Sequence, residues 1–268
     1  MKKVVKKSLF ALIALLNLTG WAQEGRYTGM GNASVMLPDF WSAFGNQSGL
    51  AYLEHPEIGA SYYNAYQLWE LGTQAGAFVY PTRTGNFAAS LHRTGYSLFS
   101  KNQMGLAYAR KLGEKWSASV QFDYLYYHQS EQTQHKGAFL IEAGVMAEPI
   151  DGFFIGAHVY NPTRVKLSDY QDERVPTLMK AGLGYYFSQW VVVTLEAEKD
   201  LEFKPRVKCG VEYQAVTHLF LRMGLMTQPN QFTLGLGYQL KNLTTDIAFV
   251  THETLPLSTQ ISLKYSFK

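Results

Sequence analysis

Gln231-Phe-Thr-Leu-Gly-Leu-Gly-Tyr-Gln-Leu240 is the stretch whose reading decides the fold. Successive side chains of a strand face opposite sides of a sheet. Phe232, Leu234, Leu236, Tyr238 and Leu240 therefore share one face, and Gln231, Thr233, Gly235, Gly237 and Gln239 share the other. Working outward, the same alternation recurs from residue 57 to the C-terminus in about fourteen segments of roughly ten residues. They fall at 57–66, 70–80, 86–94, 102–111, 115–127, 137–148, 152–160, 176–187, 190–199, 203–214, 217–227, 230–240, 242–252 and 257–267. Lipid offers no partners to backbone N–H and C=O groups, so a sheet that spans it has to close on itself. The pattern predicts an all-β fold: an antiparallel transmembrane β-barrel of about 14 strands, apolar towards lipid and polar towards a lumen.

The connections give a second test. Pro81–Gly85, Leu112–Glu114, Pro149–Asp151, Ser188–Gln189, Ala215–Val216 and Lys241 are all short. The longest connections, His128–Lys136 and Asn161–Val175, fall on the opposite side. Short periplasmic turns and longer outer loops are the habit of outer-membrane barrels. Trp116, Trp190, Tyr213, Tyr238, Tyr265 and Phe267 lie near the turn-side strand ends, where an inner aromatic girdle belongs. A soluble β-sandwich also alternates, but signal peptide, strand length and outward aromatics at strand ends favour the barrel.

The N-terminus points to the same compartment. Lys2, Lys3, Lys6 and Lys7 precede an apolar run, Ser8–Leu18, too short to span a membrane as a helix. Residues 1–22 are expected to be a signal peptide cut after Ala22. Removing its four lysines takes the formal charge from +3 to 3 − 4 = −1, so no basic excess draws the mature chain to nucleic acid. The expected surroundings are outer-membrane lipid and the outer-membrane insertion machinery of a Gram-negative cell. Ile261, Leu263, Tyr265 and Phe267 resemble the terminal strand that this machinery takes up. Cys209 is the single cysteine, which excludes an internal disulfide and a multi-cysteine metal site. No cofactor or metal is expected.

The inward face is charged. Lys180, Glu196, Glu198, Arg206, Lys208, Glu212 and Arg222 all point to the lumen in this register, acids beside bases on neighbouring strands. They read either as a cross-strand ion-pair network that stiffens a narrow barrel or as a charged constriction. Inward Gly182, Gly184, Gly210, Gly224, Gly235 and Gly237 leave space for a passage or for a slot.

Residues 23–56 precede the barrel (57–268) and are too apolar to hang free. They are expected to form an N-terminal hatch: a plug in the inner mouth or a periplasmic lip. Gly29 and Gly31 permit tight turns, and Asp39 suits the N-cap of a short helix carrying Phe40, Trp41 and Phe44. Here Gly29-Met-Gly31-Asn32-Ala33, Asp39 and Asn46-Gln-Ser-Gly49-Leu50-Ala51 resemble the N-terminal signature of FadL-like (OMPP1/FadL/TodX) and PorV/PorQ-like outer-membrane proteins. That signature runs Gly-Met-Gly-Gly-Ala, then Asn-Pro-Ala-Gly-Leu-Ala. Asn32 replaces a Gly, and Gln47-Ser48 replace Pro-Ala. The chain is also much shorter than the family's transporters. The resemblance implies a barrel with an N-terminal hatch, serving either transport or a secretion system of type IX kind with its protein partners.

An enzyme is not expected. His92, His158 and His252 point inward in this register, and no Gly-x-Ser-x-Gly, His-Glu-x-x-His or phosphate-loop pattern occurs.

Overall fold

The computed structural model describes residues 25–129, 136–167 and 174–268. The expected signal peptide (1–22), the first two residues of the expected hatch segment, and parts of the two longest connections lie outside them.

Fourteen antiparallel strands close into one barrel. They are β1 (Glu57–Asn64), β2 (Gly72–Pro81), β3 (Asn86–Gly95), β4 (Phe99–Lys111), β5 (Trp116–Gln129), β6 (Lys136–Ile150) and β7 (Phe153–Tyr160), followed by β8 (Leu178–Ser188), β9 (Val191–Asp200), β10 (Arg206–Val216), β11 (Leu219–Met226), β12 (Gln231–Leu240), β13 (Leu243–Val250) and β14 (Ser258–Ser266). Each strand pairs with its sequence neighbours, and β14 pairs with β1 to close the sheet. All fourteen expected segments are strands, with ends moved by a few residues. The differences have local causes. β1 stops at Asn64 because Tyr66 and Gln67 take positive φ (55° and 59°), which turns the chain off the sheet. β10 starts only at Arg206 because Pro205 has no N–H for the ladder.

The register fixes which side chains face in. Across β10–β13, Gly210 lies opposite Gly224, Gly224 opposite Thr233, and Thr233 opposite Val250. One step along, Leu225 and Phe232 are paired and exposed on the outer surface. On β5, Ser117, Gln121 and Asp123 are buried while Trp116 and Phe122 are exposed. The outer face thus carries a band of Leu, Ile, Phe, Met and Tyr, the surface that acyl chains cover in a membrane barrel.

The core is the lumen. Residues 25–53 lie inside the barrel as α1 (Arg26–Gly29), a 3-10 helix Phe40–Phe44 and a second 3-10 helix Gln47–Tyr52. Tyr27, Met30, Met36, Leu37, Phe40, Trp41 and Leu50 are buried. They pack on an inward wall of small residues that includes Ala77, Val79, Ala88, Ala107 and Ala109. A second apolar cluster (Leu125, Leu140, Tyr160, Val175 and Leu178) joins β5–β8 to the β7–β8 connection.

Candidate functional site: the filled lumen

The wall glycines explain how a backbone segment fits inside. A methyl group added at Gly224 would strike the amide N of Gly31 and the carbonyl carbon of Met30. One added at Gly210 would strike the Met30 carbonyl, and one at Gly235 would sit 2.9 Å from the Gly29 Cα. Gly182 and Gly184 make the same room for Met36. These inward glycines line a slot, and the slot is occupied by Gly29–Met36.

The segment itself is shaped by its own residues. Gly25 and Gly31 have φ of 60° and 63°, and Asn32 has φ of 55°. Asn tolerates the left-handed region better than most residues, so Asn32 can take this turn without being glycine. Asp39 caps the Phe40–Phe44 helix by accepting from Trp41 N at 2.9 Å. The same carboxylate accepts from the Tyr27 hydroxyl and from Arg26 Nη1 (3.1 Å). Burial, and then the Asp39 charge, hold the Tyr27 phenol well above its usual pKa, so it remains a donor. A Cβ at Gly49 would strike the Ser42 hydroxyl of the first 3-10 helix and press on the Leu37 carbonyl at 2.8 Å, so glycine lets the two 3-10 helices meet there. Leu50 is fully buried, and Asn86 of β3 donates to its carbonyl at 2.6 Å.

Three sets of polar contacts tie the segment to the wall. In the first, Arg26 Nη2 bonds Glu212 at 2.7 Å, Glu212 bonds Arg222 Nε at 2.6 Å, and Arg222 Nη1 bonds Asp246 at 2.6 Å. Arg222 stands on β11 and Asp246 on β13, and they meet over Gly237 of β12. A methyl there would lie 2.6 Å from Asp246 Oδ1 and 2.7 Å from the guanidinium. In the second, Glu196 accepts from the backbone N–H groups of Ser34 and Val35, both at 2.8 Å. Its other oxygen holds Lys208 Nζ at 3.0 Å. Lys208 also bonds Glu198 at 2.7 Å, and Lys180 and Arg206 approach Glu198 more loosely, each at 3.8 Å. In the third, Gln47 donates to Glu142 at 2.7 Å, and Asn46 donates to Val35 O (2.6 Å) and to Val145 O (3.0 Å) on β6. Glu142 also receives His158 at 3.0 Å.

The seven charged residues named from sequence therefore divide between two networks. Glu212 and Arg222 belong to the first; Lys180, Glu196, Glu198, Arg206 and Lys208 belong to the second. Of the segment residues, Gly29 and Gly31 bracket Thr233, whose hydroxyl accepts from Gly31 N (2.9 Å) and donates to Gly29 O (3.0 Å). Asn32 reaches Met226 Sδ at 3.5 Å. Sequence reading missed Arg26, Gln47, Glu142, Thr233 and Asp246 as members. Asp246 and Glu142 had a signal, since Glu142 lies between Ile141 and Ala143, and Asp246 shares the face opposite Leu243, Ile247 and Phe249. Arg26 and Gln47 had none, because no periodicity fixes the direction of a side chain in an irregular segment.

Comparison of the fold finds close counterparts. The toluene transporter TodX of Pseudomonas putida matches with a TM-score of 0.70 at 11% identity, over 92% of this chain and 99% of that one. The fold is that of an outer-membrane barrel. A FadL homologue of Pseudomonas aeruginosa matches with a TM-score of 0.58 at 12% identity, over 89% and 96% of the two chains. The outer membrane protein Omp33 of Acinetobacter baumannii gives 0.52 at 9%, over 80% and 98%. No family model and no curated protein sequence matches the chain.

Proposed function

We propose that this chain is a non-enzymatic transport barrel of a Gram-negative outer membrane, closed at rest by residues 25–53 acting as an internal hatch. One observation carries the reading. The wall does not fill the lumen with its own side chains; it presents glycines, and a separable segment occupies the room they leave. Along the chain, that segment leads into β1 through residues 54–56. Where it withdraws, the surface left behind carries Lys180, Glu196, Lys208, Glu212 and Arg222 beside the apolar stripe of Ala77, Val79, Ala88, Ala107 and Ala109, and its charged side suits small hydrophilic solutes. A hydrocarbon route asks for an apolar lining. The likeness to TodX and to the FadL homologue supports transport as a class.

The test is solute flux in proteoliposomes holding the full chain, with glycerol and sodium chloride beside a monoaromatic hydrocarbon. Hydrophilic flux that rises when Arg26 is replaced by Met supports the reading. Flux of the hydrocarbon alone, or of nothing in either form, counts against it.

A second reading, an accessory barrel of a secretion or surface-assembly system, draws support from how firmly the segment is tied to β6, β9 and β10. A stable protein partner recovered from solubilised membranes, together with no flux from any form of the barrel, favours it.

A further inference from the structure

A groove of about 930 Å3 runs over the outer wall of the barrel, across β1–β6 and β14. Its depth comes from small residues set among large ones. Ala60 lies opposite Gly76, and this pair stands between Leu263 of β14 and Leu91 of β3 in one rung of outward side chains. In the next rung, Ala89 stands between Phe78 and Leu106. The four large residues are exposed and form the rims. A Cβ at Gly76 would have Gly59 O at 3.7 Å as its nearest neighbour, so the floor there is bare backbone.

One rung beyond Gly76 and Leu91, the outward face turns polar. Gln74 lies opposite Arg93, with Tyr62 on one side of them and Asn102 on the other. Directly opposed side chains of a ladder are close enough to act on one ligand together. Gln74 and Arg93 are both exposed, and among the described residues neither side chain has a hydrogen-bond or ion-pair partner. The acids of β1–β5 and β14, Glu57 and Asp123, are buried on the luminal side. A cation on the lipid face is costly at mid-membrane and tolerated near the interface. Arg93 therefore stands where headgroups begin, at the end of the barrel that carries the β5–β6 and β7–β8 connections. With the short turns in the periplasm, that end lies in the outer leaflet.

From a guanidinium and an amide with donors to place, at the head of a groove floored by Ala60, Gly76 and Ala89, we infer that this wall binds one phosphorylated glycolipid of the outer leaflet. The planar N–H fork of Arg93 suits two phosphate oxygens at once, and the Gln74 amide donates beside it. One acyl chain lies in the dip, between Leu263 and Leu91 and then between Phe78 and Leu106. The run of β3 from Arg93 to Ala89 is roughly 13 Å long, enough to hold the upper part of such a chain. Mobile lipid covers the whole apolar band; here a phosphate anchor and a chain-wide dip stand in one line. The inference rests on the outer-membrane placement and orientation in the transport reading, not on the passage of solute.

The test is native mass spectrometry of the full chain, extracted from the outer membrane and titrated in detergent with bisphosphorylated lipid A, with phosphatidylglycerol as the competing phosphate lipid. One lipid A bound per barrel, ahead of phosphatidylglycerol, is the expected result. Arg93→Gln should weaken binding about tenfold or more, the loss of a charge-assisted hydrogen bond. Gly76→Leu fills the floor while leaving Arg93 and Gln74 in place, and should weaken binding as well. Arg110→Gln removes the exposed base near the opposite end of β4 and should leave binding unchanged. Heat-modifiable gel mobility verifies that the three variants fold. Equal loss in all three, unchanged binding in Gly76→Leu, or preference for phosphatidylglycerol overturns the inference. Lipid A held by a barrel that passes no solute supports the groove and tells against transport; flux without retained lipid A overturns the groove alone.

Discussion

Arg26 and Glu212 meet at 2.7 Å although 186 positions separate them in the chain. Arg26 belongs to the luminal segment and Glu212 to the wall, and through Glu212 the contact continues to Arg222 and Asp246. Acid and base alternate along this line, so each internal charge has a partner on both sides. Charges removed from water need that arrangement.

Replacing Arg26 by Met leaves Asp39 and Glu212 facing each other without their shared cation. Breaking one member out of a buried pair costs about 3 kcal/mol or more. The expected result is a lower denaturation midpoint in detergent together with faster proteolysis of residues 25–53. An unchanged midpoint and an unchanged digestion pattern would mean that Arg26 does not secure the segment.

Gly224→Val separates seating from assembly. Valine suits a strand, so the barrel should still insert and close. Its side chain, however, occupies the place of Gly31 N and Met30. The segment should leave its slot and become open to protease, while heat-modifiable gel mobility stays normal. Gly76→Val is the control, since the nearest atom to a Cβ there is Gly59 O at 3.7 Å. Equal protease resistance in both variants would contradict the slot.

His252 gives the barrel rim at the β13–β14 connection a pH dependence of known sign. Its Nδ1 accepts from Gln231 Nε2 at 2.7 Å, its Nε2–H donates to Ser258 Oγ at 2.8 Å, and its ring lies against Tyr66 at 4.6 Å. Burial lowers its pKa in the folded chain. The unfolded imidazole takes a proton from about pH 6.5, before the folded one does. Stability from this site is therefore complete above about pH 6.5 and declines as pH falls from there through the lower folded value. The difference in denaturation midpoint between the wild type and His252→Asn should shrink over that window. A difference that stays constant, or grows on acidification, would contradict the assignment.

The last strand closes the barrel. Tyr265 lies between Leu243 of β13 and Ile58 of β1, and Phe267 N donates to Pro56 O at 2.9 Å. Deleting Tyr265–Lys268 removes the turn-side rungs of the closing ladder and leaves Glu57 and Ile58 of β1 without their partners. The folded, heat-modifiable fraction in outer-membrane preparations should drop sharply. Normal insertion of the truncated chain would refute this.

The sequence disclosed faces more readily than partners. Gln231–Leu240 shows both faces of β12 by alternation alone, and repeating the pattern yields the strand count. It also places Arg222 inward, yet nothing in the alternation indicates that Arg222 reaches past β12 to Asp246. That contact depends on the missing side chain at Gly237, a property of three strands together. As sequence, the inward glycines are equally compatible with a passage or a slot; the position of Gly29–Met36 against them makes a slot. The small inward wall of Ala77, Val79, Ala88, Ala107 and Ala109 carries a signal that a charge-centred reading passes over. An apolar inward stripe beside a polar one means that something apolar lies inside, and Phe40, Trp41 and Leu50 supply it.

The measurement that bears most directly on the central claim is single-channel conductance in planar bilayers of the full chain and of a chain lacking residues 25–53. The hatch account predicts a closed or rarely opening full chain and a steady current through the deleted form. A properly folded deletion that carries no current would mean that wall side chains alone fill the lumen, and the account of a lumen held shut by its own N-terminal segment would be wrong.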